Sequence, residues 1–181
     1  MRLPFIFLFV FFFSTPVVAE DIYICYNYSC AVQEKVSFSK SQLTHLKALF
    51  AKISDAQSER NAIGKAIGLL ESFTGEQTPT FQDKGGNIND DGVDGRMDCI
   101  DHSTNTTSYL LLMQNIGLLK FHQVLSPVKR APWLVNEHWA AQIEEKKDQH
   151  KFVVDSWFFD NGQPAAIFDL NDWMQGASPN V

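Results

Sequence analysis

One cysteine of this chain stands where a nucleophile is expected. Cys99 lies in the segment Asp98-Cys99-Ile100-Asp101, and an apolar pattern with helical spacing begins just after it. We expect Cys99 at the N-terminus of that helix, where the helix dipole favours the thiolate over the thiol. This setting predicts nucleophilic chemistry, and a buried, inert cysteine is the alternative.

A cysteine nucleophile needs a base to accept its proton and a third group to orient that base. His138 and Asp155 lie on two strand-like segments, and the polar stretch between them is centred between Lys146 and Lys147. An antiparallel hairpin about that centre places His138 directly opposite Asp155, on the same face. The pattern predicts a triad with Cys99. A slip of one residue would turn Asp155 to the other face, and a satisfied structural pair is the alternative.

Three other histidines compete for the role of base. His102 lies three residues after Cys99, His122 follows the third predicted helix without an acidic partner nearby, and His150 lies in the polar turn. A zinc site of Cys99, His102 and His138 is a further alternative, although the chain lacks paired cysteines at zinc-ligand spacing. We take His138 as the base because the hairpin supplies its carboxylate partner.

The first residues of the chain are typical of a secretory signal peptide, which we place at residues 1–19. Met1-Arg2 forms a positive n-region, residues 3–13 form an apolar run too short for a bilayer, and Val17-Val18-Ala19 supplies small residues before the cleavage position. We expect cleavage before Glu20 and a periplasmic or secreted location. An uncleaved anchor is the alternative.

The remaining residues, 20–181, have the length of a single domain. Because the net charge is −6 and Lys and Arg do not cluster, we expect no nucleic-acid partner. No later apolar run is long enough to span a membrane after cleavage. In an oxidising compartment, Cys25 and Cys30 can close a small loop as a disulfide, which leaves Cys99 as the odd thiol.

The remaining patterns predict an α+β fold, in which N-terminal helices and the nucleophile-bearing helix pack on an antiparallel sheet. We expect one helix capped by Ser39 or Ser41, a second from Asp55 to Gly75, and a third that ends at Gly117. The predicted strands are one or two within 21–37 and one each at 138–143, 151–158 and 165–168, followed by a helical turn capped by Asn171 or Asp172.

The polar loop before Cys99 has the oxygen spacing of a calcium loop. Asn87, Asn89 and Asp91 occupy positions one, three and five before Gly92 at position six, and Asp98 falls at position twelve. The pattern predicts either a weak calcium site that orders this loop or a solvated turn.

The order of the candidate residues resembles the transglutaminase-like branch of the papain-like superfamily. The motif around Cys99 at a helix start, followed by His138 and Asp155 on successive strands, carries this resemblance over about residues 90–160. The spacing is most similar to bacterial transglutaminase-like cysteine proteinases, periplasmic enzymes that clip surface adhesins. The resemblance implies a papain/transglutaminase-like core with Cys99 as nucleophile, His138 as general base and acid, and Asp155 as orienting carboxylate.

The sequence departs from that family at two positions. Gly95-Arg96-Met97 stands where an aromatic residue commonly precedes the Asp-Cys pair, and Ile100 stands where an acidic residue is common. That acid belongs to a cluster that the resemblance associates with calcium, of which Asp98 and Asp101 match. Arylamine N-acetyltransferases and peptide N-glycanases share the core and the triad order, so the resemblance leaves the reaction open.

We therefore expect an exported cysteine peptidase or amidase that acts on a protein or peptide outside the cytoplasm through a thioester. The alternatives are an acyltransferase or crosslinking enzyme with the same triad, and a non-catalytic binding or accessory domain. The backbone N–H of Cys99, with Gln77 or Gln82, would stabilise the oxyanion. Three tryptophans could line a groove or fill the core, namely Trp133, Trp139 and Trp157.

Overall fold

The computed structural model describes residues 20–131 and 137–179. The predicted signal peptide, with its alternative of an uncleaved anchor, and the predicted role of Trp133 lie outside these residues. Within the two described ranges, no helix has the length and apolar character that crossing a membrane requires.

The described residues form an α+β fold, as the sequence predicts, and their strands form two antiparallel sheets rather than the single predicted sheet. The elements in chain order are β1 (Glu20–Tyr26), β2 (Val32–Phe38), α1 (Lys40–Leu49), α2 (Ala56–Gly75), a short 3-10 helix (Pro79–Gln82), α3 (Cys99–Asn115), β3 (His122–Arg130), β4 (His138–Glu145), β5 (Lys151–Asp155), β6 (Ala166–Asp169) and α4 (Leu170–Met174). The first two strands form one sheet, and the other four form a second sheet in the order β3-β4-β5-β6.

Side-chain caps explain where the helices begin. Ser39 and Asp55 each accept an N–H of the first turn and form capping boxes at α1 and α2. Gly117 follows the end of α3 with a φ of +77°, as expected for a residue after a helix C-cap. The predicted last helical turn is present as α4, but its predicted cap was wrong, because Asp169 is the cap and accepts the N–H groups of Asn171 and Asp172.

The hairpin of β4 and β5 has a different register from the predicted one. Ala141 pairs with Val154, and Glu144 pairs with Lys151. The turn is displaced because the N–H of Glu145 bonds the carbonyl of His150 at 2.7 Å, which closes the hairpin around residues 146–149. The register therefore differs by two residues, and a shift of two leaves each side chain on its predicted face. β5 is also shorter than predicted.

Helix α3 lies in the centre of the fold and contacts both sheets. Its Tyr109, Leu110 and Met113 are buried in the main hydrophobic core, together with residues of α2 such as Ile63 and Ile67. The side chain of Asn105 bonds both the N–H and the carbonyl of Cys25 in β1, at 2.7 and 2.8 Å. These contacts fix the helix against the first hairpin.

Candidate active site

Cys99 is the first residue of α3, because Asp98 ends the preceding loop as the N-cap. One carboxylate oxygen of Asp98 accepts the N–H groups of Ile100 and Asp101, at 3.0 and 2.9 Å. Cys99 is half-buried and has a free thiol. Since the first N–H groups of a helix have no partner within it, the N–H of Cys99 is a donor beside its own sulfur.

His138 and Asp155 form a hydrogen-bonded pair, in spite of the displaced register. Their Nε2 and Oδ2 atoms are 2.7 Å apart, and the two residues are 8% and 2% exposed. Two further donors hold Asp155: the indole N–H of Trp173 bonds Oδ2 at 3.0 Å, and the backbone N–H of Trp157 bonds Oδ1 at 3.3 Å. The carboxylate is therefore fixed from three sides.

The environment of His138 favours the imidazolium form. Burial lowers the pKa of His138, but the hydrogen bond to Asp155 and the interaction with the Cys99 thiol outweigh burial and raise the pKa to about 9. A histidine between a carboxylate and a thiol can therefore hold a proton at neutral pH and release it to a leaving group.

Cys99 and His138 share a cavity of about 510 Å³. Because Asp155 occupies Nε2 of His138, Nδ1 is the ring nitrogen left for the thiol. The other residues that line the cavity come from separate parts of the chain: Tyr28, Asn87, Ile88, Asp98, Arg130, Glu137, Trp157 and Gly176.

Aromatic rings surround the His138 imidazole. The ring centroids of Trp157, Phe158 and Trp173 lie 4.9, 5.6 and 5.8 Å from it. They limit the access of water to the His–Asp hydrogen bond, which strengthens that bond. Of the tryptophans named from the sequence, Trp157 lines the cavity, whereas Trp139 lies under the Lys129 ammonium.

The other histidines are engaged elsewhere. His102 is buried, with Nε2 2.9 Å from Asp83 and Nδ1 2.8 Å from Ser156, so the proposed zinc set with Cys99 and His138 does not assemble. His150 bonds Asp169 at the surface.

The expectation that His122 lacks an acidic partner was wrong. The Nδ1 atom of His122 is 2.9 Å from Glu59, which lies on α2, and Nε2 is 3.2 Å from a nitrogen of Arg60. The partners are distant in sequence, so no local pattern indicates them.

The two glutamines named as oxyanion donors do not line the cavity. The amide of Gln77 accepts the N–H of Ser37 and donates to the carbonyl of Phe73. The amide nitrogen of Gln82 lies 3.5 Å from the carbonyl of Asp94. The backbone N–H of Cys99 remains the donor nearest to the nucleophile.

The carboxylates named for calcium already accept backbone hydrogen bonds. Asp98 caps α3, and Asp101 accepts the N–H of Cys30 at 2.6 Å and that of Asp98 at 3.2 Å. Across the described residues, one group of acidic, histidine or cysteine side chains lies close enough to share a metal ion, and it consists of Asp101 with the two disulfide-bonded cysteines.

The remaining calcium candidates are Asn87, Asn89 and Asp91. Asn89 and Asp91 are exposed, and the amide nitrogen of Asn87 donates to Asp90 at 2.8 Å. Among the described residues, Asp91, Asp98 and Asp101 do not lie close enough together to share a metal ion, and calcium binding at the five residues stays a prediction.

Two residues that support the site were not found from the sequence. Trp173 is fully buried and reaches Asp155 from α4. The Arg130 guanidinium lies 4.5 Å from the Trp173 ring and donates to the carbonyls of Trp173 and Ala177. Both residues depend on contacts between distant segments, for which the sequence has no local signal.

No protein-family model matches the chain, and comparisons with curated proteins and with solved structures found no significant similarity. A function is therefore inferred from the geometry of Cys99, His138 and Asp155.

Proposed function

We propose that this protein is a cysteine peptidase or amidase that works outside the cytoplasm. One observation carries the proposal: Cys99 and His138 share a cavity, while Asp155 holds the far nitrogen of the imidazole. This is the arrangement of nucleophile, base and orienting group that covalent catalysis by cysteine requires.

The reaction begins when the Cys99 thiol gives its proton to His138. The thiolate attacks the carbonyl carbon of a substrate amide, and the N–H of Cys99 stabilises the oxyanion. His138 then gives the proton to the amide nitrogen, the C–N bond breaks, and an amine leaves the thioester. Water attacks the thioester with His138 as base, which releases a carboxylic acid and restores the thiol.

Asp155 and its donors set the orientation of the base. The hydrogen bond to Nε2 fixes the imidazole so that Nδ1 exchanges the proton with the thiol. Because the pKa of His138 is raised to about 9, the imidazole can hold the proton that it takes from Cys99 until the leaving amine accepts it.

The order of the elements supports membership of the transglutaminase-like branch as part of the same proposal. A helix that begins with the nucleophile precedes antiparallel strands that carry His138 and Asp155. The Cys25–Cys30 disulfide supports an oxidising compartment, as expected outside the cytoplasm. The proposed substrate is a protein or peptide in that compartment.

The proposal is tested by alkylation of Cys99 with iodoacetamide at pH 6, using protein exported as the full chain. We expect the wild type to react at least about tenfold faster than free cysteine. His138→Asn should abolish that advantage, whereas the control His150→Asn, which alters a surface His–Asp pair, should keep it. A wild-type rate equal to that of free cysteine would overturn the proposal and favour a binding domain.

Hydrolysis is separated from acyl transfer by one further measurement. A peptide library is incubated with and without a primary amine, and the products are analysed by mass spectrometry. We expect carboxylic acid products in both samples. Amide products at the expense of acid would assign the chain to acyl transfer on the same triad.

A further inference from the structure

The turn closed by the Cys25–Cys30 disulfide has an unusual backbone. Asn27, Tyr28, Ser29 and Cys30 have φ values of 66°, 63°, 53° and 57°, and none is glycine. Residues with a β-carbon adopt this left-handed region rarely and almost never in succession. Such a run persists where the surrounding structure imposes it, and the disulfide joins the two ends of the turn with Cα atoms 4.6 Å apart.

The turn directs two N–H groups at the start of the nucleophile helix. The N–H of Ser29 bonds Asp98 at 2.9 Å, and the N–H of Cys30 bonds Asp101 at 2.6 Å. Successive N–H groups in a left-handed turn form a concave site for negative charge. The carboxylates that cap α3 beside Cys99 are therefore held from outside the helix as well.

The same turn also holds the chain that leads to Cys99. The N–H of Asn27 bonds the carbonyl of Arg96 at 2.8 Å, and the Asn27 side chain accepts the N–H of Gly95 at 2.7 Å. The Tyr28 hydroxyl donates to Asp90 at 2.6 Å, and Tyr28 lines the cavity with Cys99. A change in this turn is therefore transmitted to the nucleophile from both sides.

We propose that the disulfide-closed turn is a positioning device for Cys99, and that its opening by a dithiol reductant lowers the reactivity of the nucleophile. The inference rests on the proposed function and adds redox regulation of the same site. Once the S–S bond is broken, the residues of the turn can return to negative φ, and their N–H groups leave Asp98 and Asp101.

The exchange begins at Cys30, which is part-exposed, whereas Cys25 is fully buried. A thiolate of the reductant attacks the Cys30 sulfur, the S–S bond breaks, and Cys25 leaves as a thiolate that takes up a proton. The second thiol of the reductant then attacks the mixed disulfide and releases the Cys30 thiol. The dithiol is oxidised to a disulfide, and the two cysteines are reduced.

The experiment compares three variants with the wild type by the alkylation rate of the Cys99 peptide at pH 7 and by the melting temperature. Cys25→Ser/Cys30→Ser opens the turn, and we expect the rate to fall by about tenfold or more, as for a misplaced catalytic group. Cys25→Ser/Ser29→Gly/Cys30→Gly also opens it, but glycine accepts positive φ without steric cost. We expect the rate of this variant to rise at least about threefold above that of the serine variant.

Gln33→Ala is the control, because its amide lies 3.7 Å from the Cys30 sulfur but holds neither carboxylate. We expect its rate to match the wild type. Recovery of the rate in the glycine variant without recovery of the melting temperature would show positioning rather than stability. If the serine variant reacts as fast as the wild type, the inference about the turn is overturned and the proposed function stands. If the wild-type protein itself reacts no faster than free cysteine, the proposed function is overturned.

Discussion

Two buried histidine–carboxylate pairs lie close together, because one contains Asp155 and the other contacts the next residue, Ser156. They differ in what the second nitrogen of the histidine ring contacts. His138 bonds Asp155 through one nitrogen and shares a cavity with Cys99. His102 bonds Asp83 through one nitrogen and Ser156, the residue after Asp155, through the other. Both pairs are buried, but only the first has a nitrogen left for chemistry.

The surroundings of His102 indicate a structural role. Asp83 also accepts the N–H of Met97 at 2.8 Å, and Ser156 also contacts Thr106 at 3.1 Å. Each polar group of the cluster is thus held by another, which fixes the loop before α3 and the turn after β5. The His102–Asp83 pair, in which both ring nitrogens are hydrogen-bonded, supports the structure around the site. The His138–Asp155 pair leaves one ring nitrogen that can exchange a proton.

The largest effect is expected when the reactive pair is broken. His138→Asn should lower peptide hydrolysis by about 10²–10⁴-fold, because the thiol loses its base, while His102→Asn should retain most of the rate in protein that remains folded. Steady-state rates of the two variants at 20 °C make the comparison. An equal loss in both variants would remove the distinction between the pairs.

The next effect concerns the free energy of unfolding, for which we expect His102→Asn to be more harmful than His138→Asn. His102→Asn should lower the free energy of unfolding by about 3 kcal/mol, because Asp83 is left buried without its partner. His138→Asn should cost less, since its site opens to a cavity. Urea unfolding of both variants provides the measurement, and a larger loss for His138→Asn would contradict the assignment of roles.

A smaller effect is expected from the donor behind Asp155. Trp173→Phe replaces the indole with a smaller aromatic ring and removes the N–H that bonds Asp155 at 3.0 Å. We expect kcat to fall by about tenfold with KM unchanged, because an orienting hydrogen bond is lost. The pH–rate profile should shift as well. A change in KM alone would assign Trp173 to substrate binding.

The carboxyl group of Glu71, which lies beside the His102–Asp83 pair, makes the stability of that region depend on pH. Burial raises its pKa to about 7 beside His102 and Asp83. The folded state therefore keeps a proton that the unfolded state loses as pH rises from about 4.5 to 7, and stability falls over this window. Glu71→Gln should remove on the order of 1 kcal/mol of that fall, as measured by urea unfolding between pH 5 and pH 8. Parallel curves for both proteins would contradict the raised pKa.

The smallest effect is expected from a chelator. Because Asp98 and Asp101 already accept backbone N–H groups, EGTA should change the alkylation rate of Cys99 by less than about twofold. Asp91→Asn, in the same loop, serves as the comparison. A rate that depends on calcium in the wild type and not in this variant would support the predicted calcium site.

Local signals account for the parts of the fold that the sequence predicts. The carboxylate of Asp98 marks the start of α3, and runs of aromatic and apolar residues on either side of a polar turn mark β4 and β5. The pairing of His138 with Asp155 follows from the face of the strands, which the displaced register preserves. Their direct opposition was wrong, because the turn chemistry determines the register.

The parts that the sequence does not predict depend on distant contacts. Strand β3 was missed because Pro127 interrupts its pattern, where the ladder shifts register between Leu125 and Val128. Trp173 and Asp83 meet their partners only after the chain has folded. Neither the spacing of apolar residues nor a helix-capping residue in the sequence indicates such contacts.

The residues that build the site are far apart in the sequence, and this has a consequence for biosynthesis. The turn at residues 25–30 is synthesised well before Trp173, yet the turn bonds Asp98 beside Cys99 and Trp173 bonds Asp155. A nascent chain therefore carries its thiol long before it carries the base and the groups that orient it. A nascent chain that ends before Trp173 lacks the indole N–H that bonds Asp155, so we expect the proposed hydrolysis to begin only after that residue has been synthesised.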